Sequence, residues 1–347
     1  PEGHAAVRVE EYKRPTFEVS VKDPEKPLRL NRPAALKAEA RYYFGLPVAS
    51  GEAVWQVLRE PVYPRWWWWD RPTGQAQIVA GGRSALGEDG TFNLTFIPKV
   101  DERRSGSEAG LTYRYTLSVD VTDEGGETRS ASRSFRLGFV SVEASLAAGG
   151  GFFRAGAAAR FAIARQDLNG TPKPGTGGWR IVRLSQPEKT LLPADQPLPD
   201  PPPARPGQPA PYETSGDRLR PRWEPSPSPE ALMRLWKEGA AVADGQAKTG
   251  AAGRAEILTP PLEPGPYRLL YETRDDFGAV CRDSLDFIVA GRDAAVRLPL
   301  LLAAEASSVE PGGTARLLLH GGWANQPVLL ETFRGGEVWE RRWLEAG

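Results

Sequence analysis

One pattern occurs twice in this chain, and it confines the fold to tandem β-domains. Tyr115-Thr-Leu-Ser-Val-Asp-Val-Thr-Asp-Glu-Gly-Gly-Glu-Thr128, closing at Phe135-Arg-Leu137, returns 152 positions later as Tyr267 to Val280, closing at Phe287-Ile-Val289. Tyr, Leu, Asp, Gly and Phe keep their relative places. Each copy is an alternating run, an acidic Gly turn and a second alternating run, the sequence form of a β-hairpin. A repeat of this length means domains of one kind in series. No reactive side chain repeats with it, so the pattern points to architecture rather than chemistry.

At 347 residues the chain has room for two or three domains, each with its own core. Lys+Arg and Asp+Glu are both 44, so the formal net charge is zero and no basic patch argues for nucleic acid. Gly (37) and Pro (33) make up about a fifth of the residues, a proportion that suits short strands joined by turns. The single cysteine, Cys281, excludes an internal disulfide framework and a Cys-based metal cluster. It lies in the alternating run Gly278 to Phe287 and reads as a buried or half-buried strand residue. No apolar run is long enough to span a membrane. Pro1 is not a native start, so the chain reads as an excised or processed piece.

The alternation defines successive units. Val7 to Tyr12, within a stretch from His4, reads as a strand broken by Lys13-Arg-Pro-Thr16, because Pro15 has no amide hydrogen. Phe17–Val21, Leu36–Tyr42, Ala53–Leu58 and Asp89–Phe96, the last beginning with a Gly turn, alternate as half-buried strands do. With the hairpin they give about seven strands in roughly 120 residues, the size of a β-sandwich domain. In a second unit, Phe153–Ile163 corresponds to Arg32–Ala38, and Gly253–Leu258 corresponds to Gly90–Thr95. Val309–Leu319 opens a third. The expected layout is an end strand or linker at 1–12, sandwiches at 13–138 and 139–290, and a partial third domain at 291–347.

Two insertions interrupt this plan. Between Pro193 and Pro229, 13 of 37 residues are proline, which cannot join a central sheet. It reads as a long surface loop, with docking of a partner as the functional alternative. Its arginines (Arg205, Arg218, Arg220, Arg222) make it cleavable. Glu230–Trp236 fits either a short helix or a strand, and the β surroundings favour the strand. The other insertion contains Trp66, Trp67, Trp68 and Trp69. Alternating side chains cannot all face one core, so at least two need another surface. Packing against a neighbouring domain or loop is the plain reading; sugar stacking or an outward interaction patch is the functional one.

No catalytic constellation emerges. His4 and His320, the only histidines, lie outside any nucleophile-elbow context and far apart in sequence, against both a triad and a His-based metal site. Gly149-Gly-Gly-Phe152 and Gly175-Thr-Gly-Gly-Trp179 lack the Lys-Ser/Thr of a phosphate loop and read as turns. Asp123-Glu124 and Asp275-Asp276 could suggest calcium, but adjacent acids at a hairpin tip are more often turn formers. No catalytic, cofactor or metal residues are assigned, and the chain is not read as an enzyme.

Val9-Glu-Glu-Tyr-Lys-Arg-Pro-Thr-Phe-Glu-Val19 resembles the Glu-Tyr-x-x-Pro-x-Phe-Glu-Val junction between macroglobulin-like domains of the α2-macroglobulin and complement family. Ala40–Val48 is similar to its Ala-x-Tyr-x-x-Gly-x-Pro-Val stretch. Gly265-Pro-Tyr-Arg-Leu269 with Asp275-Asp-Phe-Gly278 resembles the Pro-Gly-x-Tyr-Arg…Asp-x-x-Gly pattern of bacterial members. Val309–Leu317 resembles the start of the domain leading towards the bait region. The resemblance covers most of the chain outside the two insertions.

What it implies is an all-β array of tandem seven-stranded antiparallel macroglobulin-like sandwiches, related to immunoglobulin and fibronectin type III domains. It also implies a scaffold portion of a bacterial broad-spectrum endopeptidase inhibitor that traps proteases after bait cleavage. Partners would be target proteases, met through other parts of the full-length protein, and adjacent macroglobulin-like domains. The setting would be periplasmic or cell-envelope, with a lipid-anchored or secreted parent, and the role bacterial defence. The family's thioester motif, Cys-x-x-Gln, does not occur at Cys281, which Arg-Asp-Ser follows. The alternative expectation is a cell-surface adhesin or carbohydrate-binding β-sandwich array using Trp66–Trp69.

Overall fold

The computed structural model describes residues 16–24, 28–62, 76–101, 112–192, 196, 227–291, 296–323, 325 and 327–344. The chain divides into two compact units, Pro1–Ser141 with Leu168–Gly170, and Val142–Asp167 with Thr171–Gly347. The tetratryptophan run, most of the Pro-rich insertion and the residues before Thr16 lie outside the described residues.

In unit 1 alternation builds two antiparallel sheets. β1 (Phe17–Val21), β2 (Ala34–Tyr42) and β5 (Thr91–Phe96) form one, in the order β1-β2-β5. β4 (Gln77–Ala85), β3 (Gly51–Val62), β6 (Thr112–Asp123) and β7 (Thr128–Gly138) form the other, in the order β4-β3-β6-β7. Side chains at every second position meet in one core: Phe17, Leu36 and Leu94 from the first sheet, Trp55, Tyr115, Leu117 and Phe135 from the second. Period-two burial on both inner faces is what makes the pair a sandwich.

Unit 2 repeats this arrangement. β8 (Val142–Ala148), β10 (Arg160–Asp167) and β13 (Arg254–Leu258) form one sheet, with β10 central. The other runs β12 (Lys237–Thr249), β11 (Gly175–Ser185), β14 (Gly265–Arg274), β15 (Val280–Ala290), with β9 (Phe153–Arg154) added parallel to β15. Registers coincide: Leu36 pairs with Leu94 in unit 1, and Phe161 pairs with Ile257 in unit 2. The expected correspondence of Gly90–Thr95 with Gly253–Leu258 therefore holds residue for residue. Gly90 and Gly253 both take positive φ, 75° and 66°, which glycine adopts without strain. The fold is nearly all β: unit 1 is a seven-stranded antiparallel sandwich, and unit 2 keeps seven antiparallel strands and adds the short parallel β9. Unit 2 also carries two further hairpins, β16 (Leu300–Ala304) with β17 (Leu317–Gly321) and β18 (Val328–Arg334) with β19 (Glu337–Leu344).

Two local expectations are corrected. Gly175–Trp179 is not a turn but the start of β11, and Gly175 and Gly177 serve packing. A Cβ at Gly177 would meet the Tyr271 ring at 2.4 Å, and one at Gly175 the Arg165 guanidinium at 2.7 Å. Pro229–Arg234 is a helix, α1, rather than a strand. Ser228 caps it by accepting from the Ala231 amide, and Pro229 sits in the first turn where no amide hydrogen is needed. Leu232 and Met233, adjacent on one side of this single turn, are buried. That contact, absent from local pattern, selects helix over strand.

Candidate functional site

The repeated hairpin shows where its acidic groups are used. In both copies the amide of the first Asp donates across the turn, Asp123 to the Glu127 carbonyl at 3.0 Å and Asp275 to the Ala279 carbonyl at 2.9 Å. Asp123 Oδ1 accepts from the Glu127 amide at 2.8 Å; Asp275 Oδ1 accepts from the amides of Phe277 (2.9 Å) and Ala279 (2.8 Å). Gly126 and Gly278, at φ 77° and 84°, complete the turn. These carboxylates are turn formers, the preferred sequence reading.

The other candidate groups are likewise engaged in the scaffold. Cys281 lies opposite Thr273 on β14–β15, and burial pushes its thiol above the ordinary range. His320 Nε2 is 2.5 Å from the Val296 carbonyl oxygen. Among the described residues no cluster of three His, Cys, Asp or Glu side chains could hold a metal ion. His4 and Trp66–Trp69 fall outside them.

A concave surface lies on the outward face of the large sheet of unit 2. At one end α1 covers it. Leu184 and Ile288 pack against Leu232 and Met233, joined by Val296, Leu298 and Leu301. Arg268 ties the helix down, pairing with Asp286 (Nε to Oδ1 2.6 Å, Nη2 to Oδ2 3.1 Å) and donating to the Met233 carbonyl at 3.0 Å. This pair is not among the residues singled out from the sequence. The signal available was that Arg268 and Asp286 stand directly opposite in a predicted hairpin.

Beyond the helix the face opens into a trough of about 1070 Å³. Gly178 lies on its floor, between Gln246 on β12 and Glu272 on β14. Arg180 and Arg282 line it, and Arg282 pairs with Glu272 at 2.9 Å. Both partners are exposed, so the pair contributes little. Arg274 also lines the trough, against the acids Glu238, Asp244, Glu272 and Asp283.

No family model matches this chain, and no curated protein does. Solved structures do. The native form of Escherichia coli α2-macroglobulin is 11% identical with a TM-score of 0.34, over 97% of this chain and 20% of that one. Methylamine-reacted Salmonella α2-macroglobulin is 12% identical, TM-score 0.33, over 97% and 20%. A tetra-tandem repeat from the extending region of a large adhesion protein is 11% identical, TM-score 0.24, over 95% and 74%. The chain thus spans about a fifth of the length of the α2-macroglobulins it matches. Scores this low assign no activity.

Proposed function

We propose that these residues are a scaffold portion of a bacterial α2-macroglobulin-like endopeptidase inhibitor. In this reading 13–138 and 139–290 are macroglobulin-like sandwiches, 291–347 begins a third, and 1–12 closes a preceding one. One observation carries it. The two sandwiches keep the same strand order and register, while among the described residues Asp123 and Asp275 hold turns, Cys281 is half-buried in a strand pair and His320 lies against a backbone carbonyl. Val9–Val19 and Gly265–Gly278 add the family resemblance. The work of such a piece is mechanical: it positions distal bait-bearing domains and transmits their rearrangement. Target proteases are met elsewhere in the parent protein, in the periplasm or cell envelope.

Inhibition assays test this directly. The full-length protein is expected to inhibit trypsin and elastase, and the 347-residue chain to inhibit neither. Inhibition by the shorter chain alone overturns the assignment. Saturable quenching of tryptophan fluorescence by a sugar, lost in Trp67→Ala, would move it to carbohydrate binding instead.

A further inference from the structure

Corresponding hairpins join the second and third strands of each repeat, and two of their tips are already engaged. The tip between β10 and β11, Leu168–Gly170, belongs to unit 1. There Leu168 is only 5% exposed. The Arg136 amide donates to Asn169 Oδ1 at 2.8 Å, and the Arg136 guanidinium donates to the Leu168 carbonyl at 3.2 Å. A Cβ on Gly138, at the end of β7, would crowd the Val140 carbonyl oxygen at 3.0 Å, Thr112 Cγ2 at 3.1 Å and Leu168 Cδ1 at 3.2 Å, so Leu168 lies close against this strand end. Between β17 and β18, within unit 2, the tip is held by a side chain from outside the hairpin. Thr190 Oγ1 donates to the Gly322 carbonyl at 2.7 Å.

The tip between β2 and β3 has the same internal turn as the β10–β11 tip. Tyr42 donates to the Leu46 carbonyl at 2.8 Å, as Asp167 does to that of Thr171, also at 2.8 Å. Pro47 and Pro172 follow in isolated bridges to Arg41 and Gln166. Tyr43 thus stands where Leu168 stands, yet it is 61% exposed, with Phe44 at 71% and Leu46 at 61%. Among the described residues Phe44 stacks on Tyr42, two positions back, with ring centroids 5.1 Å apart. Three large apolar side chains in water at one rigid tip are costly unless something covers them.

We propose that Tyr43–Leu46 is a docking plug for the strand end of another β-sandwich of this kind, the one preceding Thr16 in the parent polypeptide. The occupant follows from the repeat. A tip of the same frame is seated at the end of β7, the strand just before β8. β1 corresponds to β8 through a shift of 125 positions, Phe17 to Val142. The same shift sets Arg129–Leu137 of β7 against His4–Tyr12, the stretch whose alternation predicts a strand. Apolar Tyr43 would fill the place that Leu168 fills. The inference rests on the functional reading only in requiring a preceding sandwich.

Hydroxyl-radical footprinting of the 347-residue chain and of the full-length protein tests it. Tyr43 and Phe44 are expected to label strongly in the shorter chain and to fall to the level of Leu168 in the longer one. Equal labelling in both overturns the proposal. The double variant Tyr43→Ser, Phe44→Ser should lower the Tm of the full-length protein and leave that of the shorter chain unchanged; no shift in the full-length protein also overturns it. Concentration-dependent association of the shorter chain, lost in the same variant, would identify a second copy as the occupant and refute the assignment. Neither readout involves protease inhibition, so the two proposals fail separately.

Discussion

The Trp179 indole lies against Gly245, its cross-strand neighbour on β12, so closely that a Cβ there would meet Cζ2 at 2.8 Å. Unit 1 repeats the pair: Trp55 faces Gly82 on β4, with Cζ2 at 2.7 Å from the same imaginary atom. In each sandwich the edge strand gives up a side chain so that an indole can lie against its backbone. Gly245→Ala and Gly82→Ala should each destabilise by about 1–3 kcal/mol, because overpacking outweighs the entropy that alanine saves. Gly178→Ala, on the open trough, should be neutral or slightly stabilising. Urea unfolding of the three variants separates these outcomes.

At the second hairpin, Asp275→Ala removes an acceptor shared by two amides. The expected loss is about 1.5–3 kcal/mol, the range for hydrogen bonds to a charged group. Gly278→Ala forces alanine to positive φ and should cost about 1–2 kcal/mol. Thermal unfolding of each variant measures the size, and far-UV circular dichroism checks that the sheet is kept.

Arg268 and Asp286 are a largely buried pair, their side chains 12% and 7% exposed. Asp286→Ala strands the guanidinium against the sheet and should destabilise by about 3 kcal/mol. Because the same guanidinium bonds the Met233 carbonyl, amide exchange in Pro229–Trp236 should accelerate. Exchange at wild-type rates there would separate the helix from the ion pair.

Glu127 accepts from the Thr16 amide at 3.0 Å and the Thr16 hydroxyl at 2.8 Å, and Arg129 lies 2.8 Å away. The bonds from Thr16, first the amide and then the hydroxyl, hold its carboxyl down to about 2. A depressed acid stabilises the fold above its unfolded value, about 4.3, and that contribution is lost as pH falls through about 2. The Tm difference between wild type and Glu127→Gln should therefore be full at neutral pH, shrink below about pH 4 and vanish near pH 2. A pH-independent difference would contradict the Thr16 clamp.

Burial raises the Cys281 thiol, so its thiolate fraction at neutral pH is below that of free cysteine. Iodoacetamide at pH 8 should label it slowly in the native protein and fast in urea. Equal rates would show an accessible, activated thiol.

Much of this organisation was legible because sandwiches print their inner faces on the sequence as alternate apolar residues. The hairpin pair, the Gly90/Gly253 correspondence and the turn role of Asp123 and Asp275 follow from spacing alone. The misread segments share one cause. Gly175–Gly178 looks like a turn because glycine is common there, yet its lost side chains make room for Tyr271 and Arg165, which are distant in sequence. α1 looked equally like strand because the apolar partner of Met233 is Ile288, on a strand that local pattern cannot bring near. The trough on the outer sheet face was invisible, since outward residues carry no burial signal.

Sequence alone determined that the chain is all-β, that its sandwiches repeat, and which side chains face inward, because period-two burial is a local property. Only the tertiary structure decided which backbone positions had to stay bare, which charged groups pair, and which hairpin tips are covered. Those depend on atoms that approach across strands far apart in sequence, where close packing rather than local preference sets the outcome.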